Sequence, residues 1–319
     1  VGRTAELAEL TALLQDRHIR LITLLGPPGV GKTRLALRLA ADVSPDYADG
    51  ARFVPLSSVE EPDLVLPAVA SALELARTRG DPGSVLQGYL RDRRMLLVLD
   101  NFEQVLSSAP DLVGLLEASP GLTLLVTSRV ALGLSVEYAY RVPPLPLPAP
   151  DDLPATEELA ASPAIALFLQ RCRAVRRDFR VTDADAPAIA EICRRLDGLP
   201  LAIELAAVRA KLLGPQALLS RLADEFAMLD KGAPDRPARQ RTLRATLEWS
   251  YRLLGPEERR LFSALGVFSG GCSLEAAAAV CAPDGASDDA LLDGLETLVD
   301  HSLLQVESGP GGEPRFSML

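Results

Sequence analysis

The sequence predicts an α/β domain with a parallel sheet, then an all-helical domain, then a third domain whose helices are closed by a β-hairpin. Three observations carry that reading. Over the first 145 residues short apolar runs alternate with amphipathic stretches, the rhythm of strand–helix–strand units. From about 155 to 230 no strand pattern appears. Beyond about 241, four helical patterns precede two short strand-like runs that flank a turn-rich stretch. The expected domains are therefore 1–145, 146–235 and 236–319.

The candidate strands of the first domain are Leu21–Leu25, Arg52–Leu56, Met95–Asp100, Leu122–Thr127 and Tyr138–Val142. Between the first two, Leu35, Ala36, Leu39, Ala40 and Val43 recur at the spacing of one helix face. The run PPLPLPAP at 143–150 can continue neither a helix nor a central strand, so it reads as a stiff, extended connector and the first boundary. Ser162-Pro163 has the form of an N-cap followed by a first-turn proline, opening a helix through Ile165, Leu167, Phe168 and Leu169. Asp185-Ala186-Pro187 starts another, through Ile189, Ile192, Cys193 and Leu196. Pro200 permits a third from Leu201 to Leu213, stopped by Gly214-Pro215. The polar stretch Lys231–Gln240 is the second boundary. At the end, Ser302–Val306 and Arg315–Met318 pair across Glu307–Pro314, and helices followed by such a hairpin suggest a winged helix.

Composition narrows the functional classes. The 319 residues are 48% hydrophobic and 24% charged, as in ordinary globular proteins, and no apolar run approaches the roughly 18 residues of a membrane span. Formal net charge is −10, which argues against the chain gripping nucleic acid unaided. The winged-helix region is the place to test this, since that fold often binds DNA. Residues 242–319 carry twelve acids against five arginines and no lysine, and Asp288–Asp300 alone has five acids and no base. Phosphates would repel that helix, so packing and signalling are the expected roles. Cys172, Cys193, Cys272 and Cys281 lack close paired spacing and there are only two histidines. A disulfide framework or zinc site is thus not expected, and reduced thiols in the cytoplasm are. The chain begins at Val1 without Met and stops at Leu319, so it reads as a piece of a longer protein.

The strongest chemical signal is Gly26-Pro27-Pro28-Gly29-Val30-Gly31-Lys32-Thr33, a full G-x-x-x-x-G-K-[ST] phosphate-binding loop between a predicted strand and a predicted helix. The glycines let successive backbone N–H groups turn inward towards phosphate oxygens, and the following helix adds its positive dipole end. Lys32 is expected at the β- and γ-phosphates of ATP or ADP, with Arg34 beside the loop, and the Thr33 hydroxyl at Mg2+.

A second signal is Met95–Asp100, an apolar strand that delivers a carboxylate to the edge where the phosphates lie, so that Asp100 joins Thr33 in holding Mg2+. Many hydrolysing ATPases carry a second carboxylate directly after this Asp. Here Asn101 stands there, an amide that cannot accept a proton, and slow hydrolysis is expected. Glu103 is near enough to substitute, or is a solvated acid at a helix start. The third signal is Thr127-Ser128-Arg129, where a strand-end arginine either senses a γ-phosphate or lies on the surface.

Together these residues resemble the nucleotide-binding core of the signal-transduction ATPases with numerous domains, the NB-ARC-like group, and within it the ATPase modules of large bacterial transcriptional regulators. The resemblance spans essentially the whole chain. Val1-Gly2-Arg3 resembles the adenine-side V-G-R motif, with Thr4 where the family usually has Glu. Thr127-Ser128-Arg129 resembles the sensor motif, which implies that Arg129 meets the γ-phosphate. Gly198-Leu199-Pro200-Leu201-Ala202 resembles the G-L-P-L-A motif, which implies that Pro200 packs on adenine. Residues Arg241–Arg244, Trp249–Tyr251 and Leu261-Phe262 look like the family's winged-helix segment. One departure stands out: where members often carry Met-His-Asp, this chain has Met318-Leu319, so the histidine contact to the ADP β-phosphate is missing, and His301 does not replace it by motif.

The resemblance implies an ATP/ADP-driven switch that is closed with ADP, self-associates with ATP, and is joined in the full-length chain to effector and sensor domains, a DNA-binding domain and helical repeats being expected. Two other readings stay open on the residues alone. One is a turnover P-loop ATPase or kinase, against which Asn101 and the lack of a lid segment speak. The other is a DNA-binding winged-helix ATPase, against which the acidic last domain speaks.

Overall fold

The computed structural model describes residues 2–75, 80–148, 161–177, 179–224, 251, 254–268, 271–281, 288–300, 303–308 and 313–318. Chain contacts divide it into two units. One comprises residues 3–26 and 31–142; the other comprises Gly2, 27–30 and the described residues from 143 onward.

The first unit opens with helix α1 (Thr4–Gln15) and is built on a five-stranded parallel sheet of order β2-β3-β4-β1-β5. The strands are β1 (Leu21–Leu25), β2 (Ala51–Pro55), β3 (Met95–Asp100), β4 (Leu122–Thr127) and β5 (Glu137–Arg141). That order places β4 between the loop-bearing β1 and the Asp-ended β3, as in P-loop NTPases with an inserted central strand. Strands β1, β3 and β4 are buried at every position, which is why they read as unbroken apolar runs. Edge strands β2 and β5 are half-exposed, and each begins one residue before its expected start. Helices α2 (Lys32–Val43), α3 (Val65–Ala72), α4 (Pro82–Leu90) and α5 (Ala109–Ala118) belong to the same unit. The helix face predicted for α2 is the buried one: Leu35, Ala36, Leu39, Ala40 and Val43 all lie out of solvent. Register pairs Pro55 with Asp100, Leu99 with Val126 and Leu24 with Thr127, so Leu25, Asp100 and Thr127 end on one edge of the sheet.

The second unit begins with the connector, which is neither helix nor strand from Pro143 to Pro148. Helices α6 (Pro163–Val175), α7 (Ala186–Arg195), α8 (Pro200–Val208) and α9 (Pro215–Asp224) follow. Ser162 occupies the N-cap position of α6, but its hydroxyl donates to Pro146 O at 3.2 Å and does not cap the helix. Helix α8 is shorter than expected. After Val208 the Arg209 carbonyl accepts from both Leu212 and Leu213 N–H at 3.0 Å, tightening the chain into a single 3-10 turn before Gly214.

Helix α10 (Pro256–Leu265) is followed by β6 (Cys272–Ser273), α11 (Leu274–Cys281), α12 (Asp288–Asp300), β7 (Leu304–Ser308) and β8 (Pro314–Met318), and the three strands form an antiparallel sheet of order β6-β8-β7. This is a winged-helix arrangement. Its core gathers Leu261 and Leu265 of α10, Leu291, Leu295 and Leu298 of α12, and Phe316 of β8. The hairpin runs as far as a Ser308–Pro314 pair, beyond the expected Val306, with Pro314 at a strand start where its missing N–H costs least. Asp289, Asp293 and Glu296 of α12 are exposed. The boundary 231–240, residues 241–250 of the winged-helix motif, His301 and Leu319 lie outside the described residues.

Candidate functional site

The phosphate-binding loop leaves β1 at Leu25 and enters α2 at Lys32, so its position follows from strand and helix alike. Gly31 caps α2 in the left-handed region at φ 101°, and Leu35 N donates to Gly31 O at 2.9 Å. Within the loop, Val30 N donates to Pro27 O at 3.3 Å and Val30 is wholly buried, while Pro27, Pro28 and Gly29 are half-exposed. Arg34 is exposed on the first turn of α2.

Lys32 lies out of solvent with Nζ donating to Gly26 O at 2.6 Å. Burial draws its ammonium down to about 8, with Glu103 opposing, Arg129 adding to the fall and Asp100 opposing. A phosphate entering the loop would reverse that pull by offering a charged partner.

At the last residue of the loop, Thr33 Oγ1 donates to Asp100 Oδ1 at 2.6 Å, and Thr127 Oγ1 donates to the same oxygen at 2.7 Å. These are hard oxygen donors, one carboxylate and one hydroxyl at the phosphate loop. Among the described residues no cluster of three or more His, Cys, Asp or Glu exists. Such a sparse set fits Mg2+, which keeps water and substrate phosphates as its other ligands, and does not suit an all-protein cage. Thr33 and Asp100 would hold the ion, which would neutralise phosphate charge there.

The chain leaves β3 through Asn101, a non-glycine residue at φ 66°, whose N–H donates to Thr127 Oγ1 at 3.0 Å. A 3-10 turn, Phe102–Gln104, follows with Phe102 fully buried. Glu103 is accordingly not a solvated helix-start acid: its side chain is 3% exposed and its Oε1 lies 3.3 Å from Arg129 Nε. Arg129 is not a surface residue either, at 5% side-chain exposure. Lys32, Thr33, Asp100, Glu103 and Arg129 are thus drawn together at one sheet edge. Thr127 is the contributor that sequence reasoning passed over, although a hydroxyl at the end of the neighbouring strand was its signal.

Arg3 caps α1 at φ 74° and pairs with Glu6 at 2.6 Å. Val1 lies outside the described residues. In the second unit Gly2 sits beside Pro163 and Leu145. Pro200 occupies the first turn of α8, and the next residue, Leu201, donates its N–H to Gly29 O at 3.1 Å. A separate cleft of about 680 Å3 lies at the opposite, N-terminal edge of the strands, lined by Arg17, Arg20, Tyr47, Arg94 and Thr123 among others, and none of the predicted residues reaches it.

A phosphate loop between β1 and α2, an acid at the end of β3 and an inserted central strand define an AAA-type P-loop ATPase domain, a class that binds and hydrolyses nucleoside triphosphates. The AAA domain profile matches residues 15–126, from the end of α1 through β4. Over 319 residues the chain is 40% identical to the uncharacterized protein Rv0894 of Mycobacterium tuberculosis, covering 98% of this chain and 76% of that one. The chain belongs to that protein's family of P-loop ATPases, and carries the motifs of the signal-transduction ATPases. It is also 39% identical over 302 residues to Rv0890c of the same organism, named as a candidate HTH-type transcriptional regulator; 94% of this chain matches 32% of that longer protein. Among solved structures, the signal transduction ATPase with a tetratricopeptide repeat sensor from Pyrococcus horikoshii aligns over 100% of this chain and 41% of its own, at 16% identity and TM-score 0.42. Cdc6p from Pyrobaculum aerophilum aligns over 99% of this chain and 89% of its own, at 19% identity and TM-score 0.45.

Proposed function

We propose that this chain is the ATP/ADP-dependent switch module of a larger regulator. The observation that carries the reading is the buried Arg129–Glu103 pair beside the Thr33–Asp100 contact. A switch needs a group that the γ-phosphate engages and ADP cannot, because only differential contact moves an equilibrium. Arg129 supplies it: its guanidinium is already held by a carboxylate through Nε, so a γ-phosphate meets a positioned cation. ATP and ADP would then favour different arrangements of β3 and β4 ends, and of whatever packs on them.

In this reading Val1, Gly2, Arg3 and Pro200 lie on the adenine side, residues 26–34 hold the phosphates, and Thr33 and Asp100 hold Mg2+. Residues 1–145, 146–235 and 236–319 act as nucleotide, helical and winged-helix domains. The resting form is closed on ADP, hydrolysis is slow, and the ATP form self-associates. The regulator named among the relatives supports a place in transcription control, in the cytoplasm, with effector and sensor domains elsewhere in the full-length chain. The exposed acids of α12 favour signalling to such a domain over direct contact with DNA. No helix among the described residues is long and apolar enough to cross a membrane.

The test is chromatography of nucleotide released by acid from freshly purified protein, with a labelled-ADP exchange time course. ADP bound in near-stoichiometric amount and exchanging over minutes is expected, since release requires contacts from several segments to part. Nucleotide-free protein, or exchange complete within a second, would favour a turnover enzyme.

A further inference from the structure

Among the described residues, one carboxylate oxygen in the site has no hydrogen-bond partner. Glu103 Oε1 is shared between Arg129 Nε and Asn101 Nδ2, each at 3.3 Å. Glu103 Oε2 is buried and has no hydrogen-bond partner among the described residues. Leaving a buried polar atom unmet costs about 1–3 kcal/mol, and more for a charged group. Native proteins keep few such atoms, and each asks for a reason.

The local backbone shows how the carboxylate arrives there. Asn is one of the few side chains that tolerate the left-handed region, and Asn101 sits at φ 66°. A glutamate at that position would be strained. The turn at Asn101, fixed by its N–H to Thr127 Oγ1 and by the burial of Phe102, folds the chain back so that Glu103 faces Arg129 from the adjoining strand end. The sequence loses a carboxylate at 101 and the fold returns one from 103.

We propose that Glu103 is the general base of ATP hydrolysis, with Oε2 as the atom that receives the proton. This deepens the nucleotide reading above and rests on it. A water molecule donating to Oε2 attacks the γ-phosphorus. Its oxygen forms the new P–O bond while the bond from that phosphorus to the β,γ-bridging oxygen breaks, and the electron pair leaves with ADP. The water proton passes to Oε2 and then to the departing inorganic phosphate, which restores the carboxylate. Oε1 stays engaged with Arg129 and Asn101, so the guanidinium that meets the γ-phosphate also touches the base.

The experiment compares wild type, Glu103→Gln and Glu103→Asp in the 319-residue chain. It reads ADP and ATP affinity, single-turnover hydrolysis, and the identity of acid-released nucleotide. The near-isosteric Gln should bind both nucleotides as wild type does, hydrolyse about 10²–10⁴-fold more slowly, and purify with ATP in place of ADP. The shorter Asp, which keeps the charge, should fall between the two in rate. Wild-type hydrolysis by Glu103→Gln, or ADP in its purified form, would overturn the assignment. So would loss of ADP binding in both variants, which would make Glu103 a structural anchor for Arg129. If wild type itself bound neither nucleotide, the nucleotide reading would fall first, and the two failures are thereby told apart.

Discussion

Arg129 Nε approaches Glu103 Oε1 to 3.3 Å with both side chains at 5% exposure or less. Removing one partner of such a pair strands the other charge in a dry site, at a cost of about 3–5 kcal/mol. Arg129→Ala should therefore lower the free energy of unfolding in urea by that order. Arg129→Ala combined with Glu103→Gln should recover most of it, because no buried carboxylate is then left unpaired. An additive loss in the double variant would mean that the two residues do not act as a pair.

The same arginine separates the nucleotides. At a temperature where the variant is fully folded, Arg129→Ala should bind ADP close to wild type and ATP selectively more weakly, by about tenfold to a hundredfold for one lost charge-assisted contact. Titration with both nucleotides decides it. Equal weakening would assign Arg129 to the fold alone.

Lys32 is the cation inside the loop, and its Nζ is already aimed at the Gly26 carbonyl that lines it. Lys32→Ala should leave the far-ultraviolet spectrum unchanged while reducing affinity for ADP and ATP alike by at least a hundredfold, since both carry the β-phosphate. Calorimetric titration checks it, and wild-type affinity would remove the loop assignment.

The bounds of β1, β3 and β4 were legible to the residue because these strands are buried on both faces and are followed directly by Gly26, Asn101 and Ser128. The edge strands were legible only to within a residue, since a half-exposed run carries no sharp apolar limit. In the site, Lys32, Thr33 and Asp100 followed from local motif chemistry. The Glu103–Arg129 pair did not, because it depends on β3 and β4 being neighbours and on a left-handed turn at Asn101, and neither is written in the spacing of the two residues. The Gly29–Leu201 contact was equally out of reach for a reading that works along the chain.

The thiols offer a check on the second unit. Burial pushes Cys172 up to about 12 and Cys193 likewise to about 12, with Cys172 adding to the rise at Cys193. Only the thiolate reacts with alkylating reagents. Cys272 is buried as well, whereas Cys281 is half-exposed, and burial raises both thiols. At pH 8 a single thiol, Cys281, should be labelled promptly in the native protein, and Cys172 and Cys193 should react only after denaturant is added. Mass spectrometry of labelled peptides identifies the site. Prompt labelling of Cys193 would mean that α7 is not packed as described.

Of the phosphate loop's positive-φ glycines, Gly29 and Gly31 have different surroundings. A Cβ added at Gly29, at φ +84°, would lie 2.7 Å from Leu201 Cβ and 3.1 Å from its Cδ2. A Cβ at Gly31, at φ +101°, would meet nothing within 4 Å. Alanine at either position carries the backbone cost of a left-handed residue, about 1–2 kcal/mol. Only at Gly29 must the chain also part from Leu201, which adds about 1–3 kcal/mol of overpacking and strains the Leu201 N–H bond to Gly29 O. Gly29→Ala should therefore melt at a lower temperature than Gly31→Ala when both are compared without added nucleotide. The order should hold in urea as well, where backbone strain and packing strain add. Equal losses in the two variants would show that Leu201 does not press on the loop in solution.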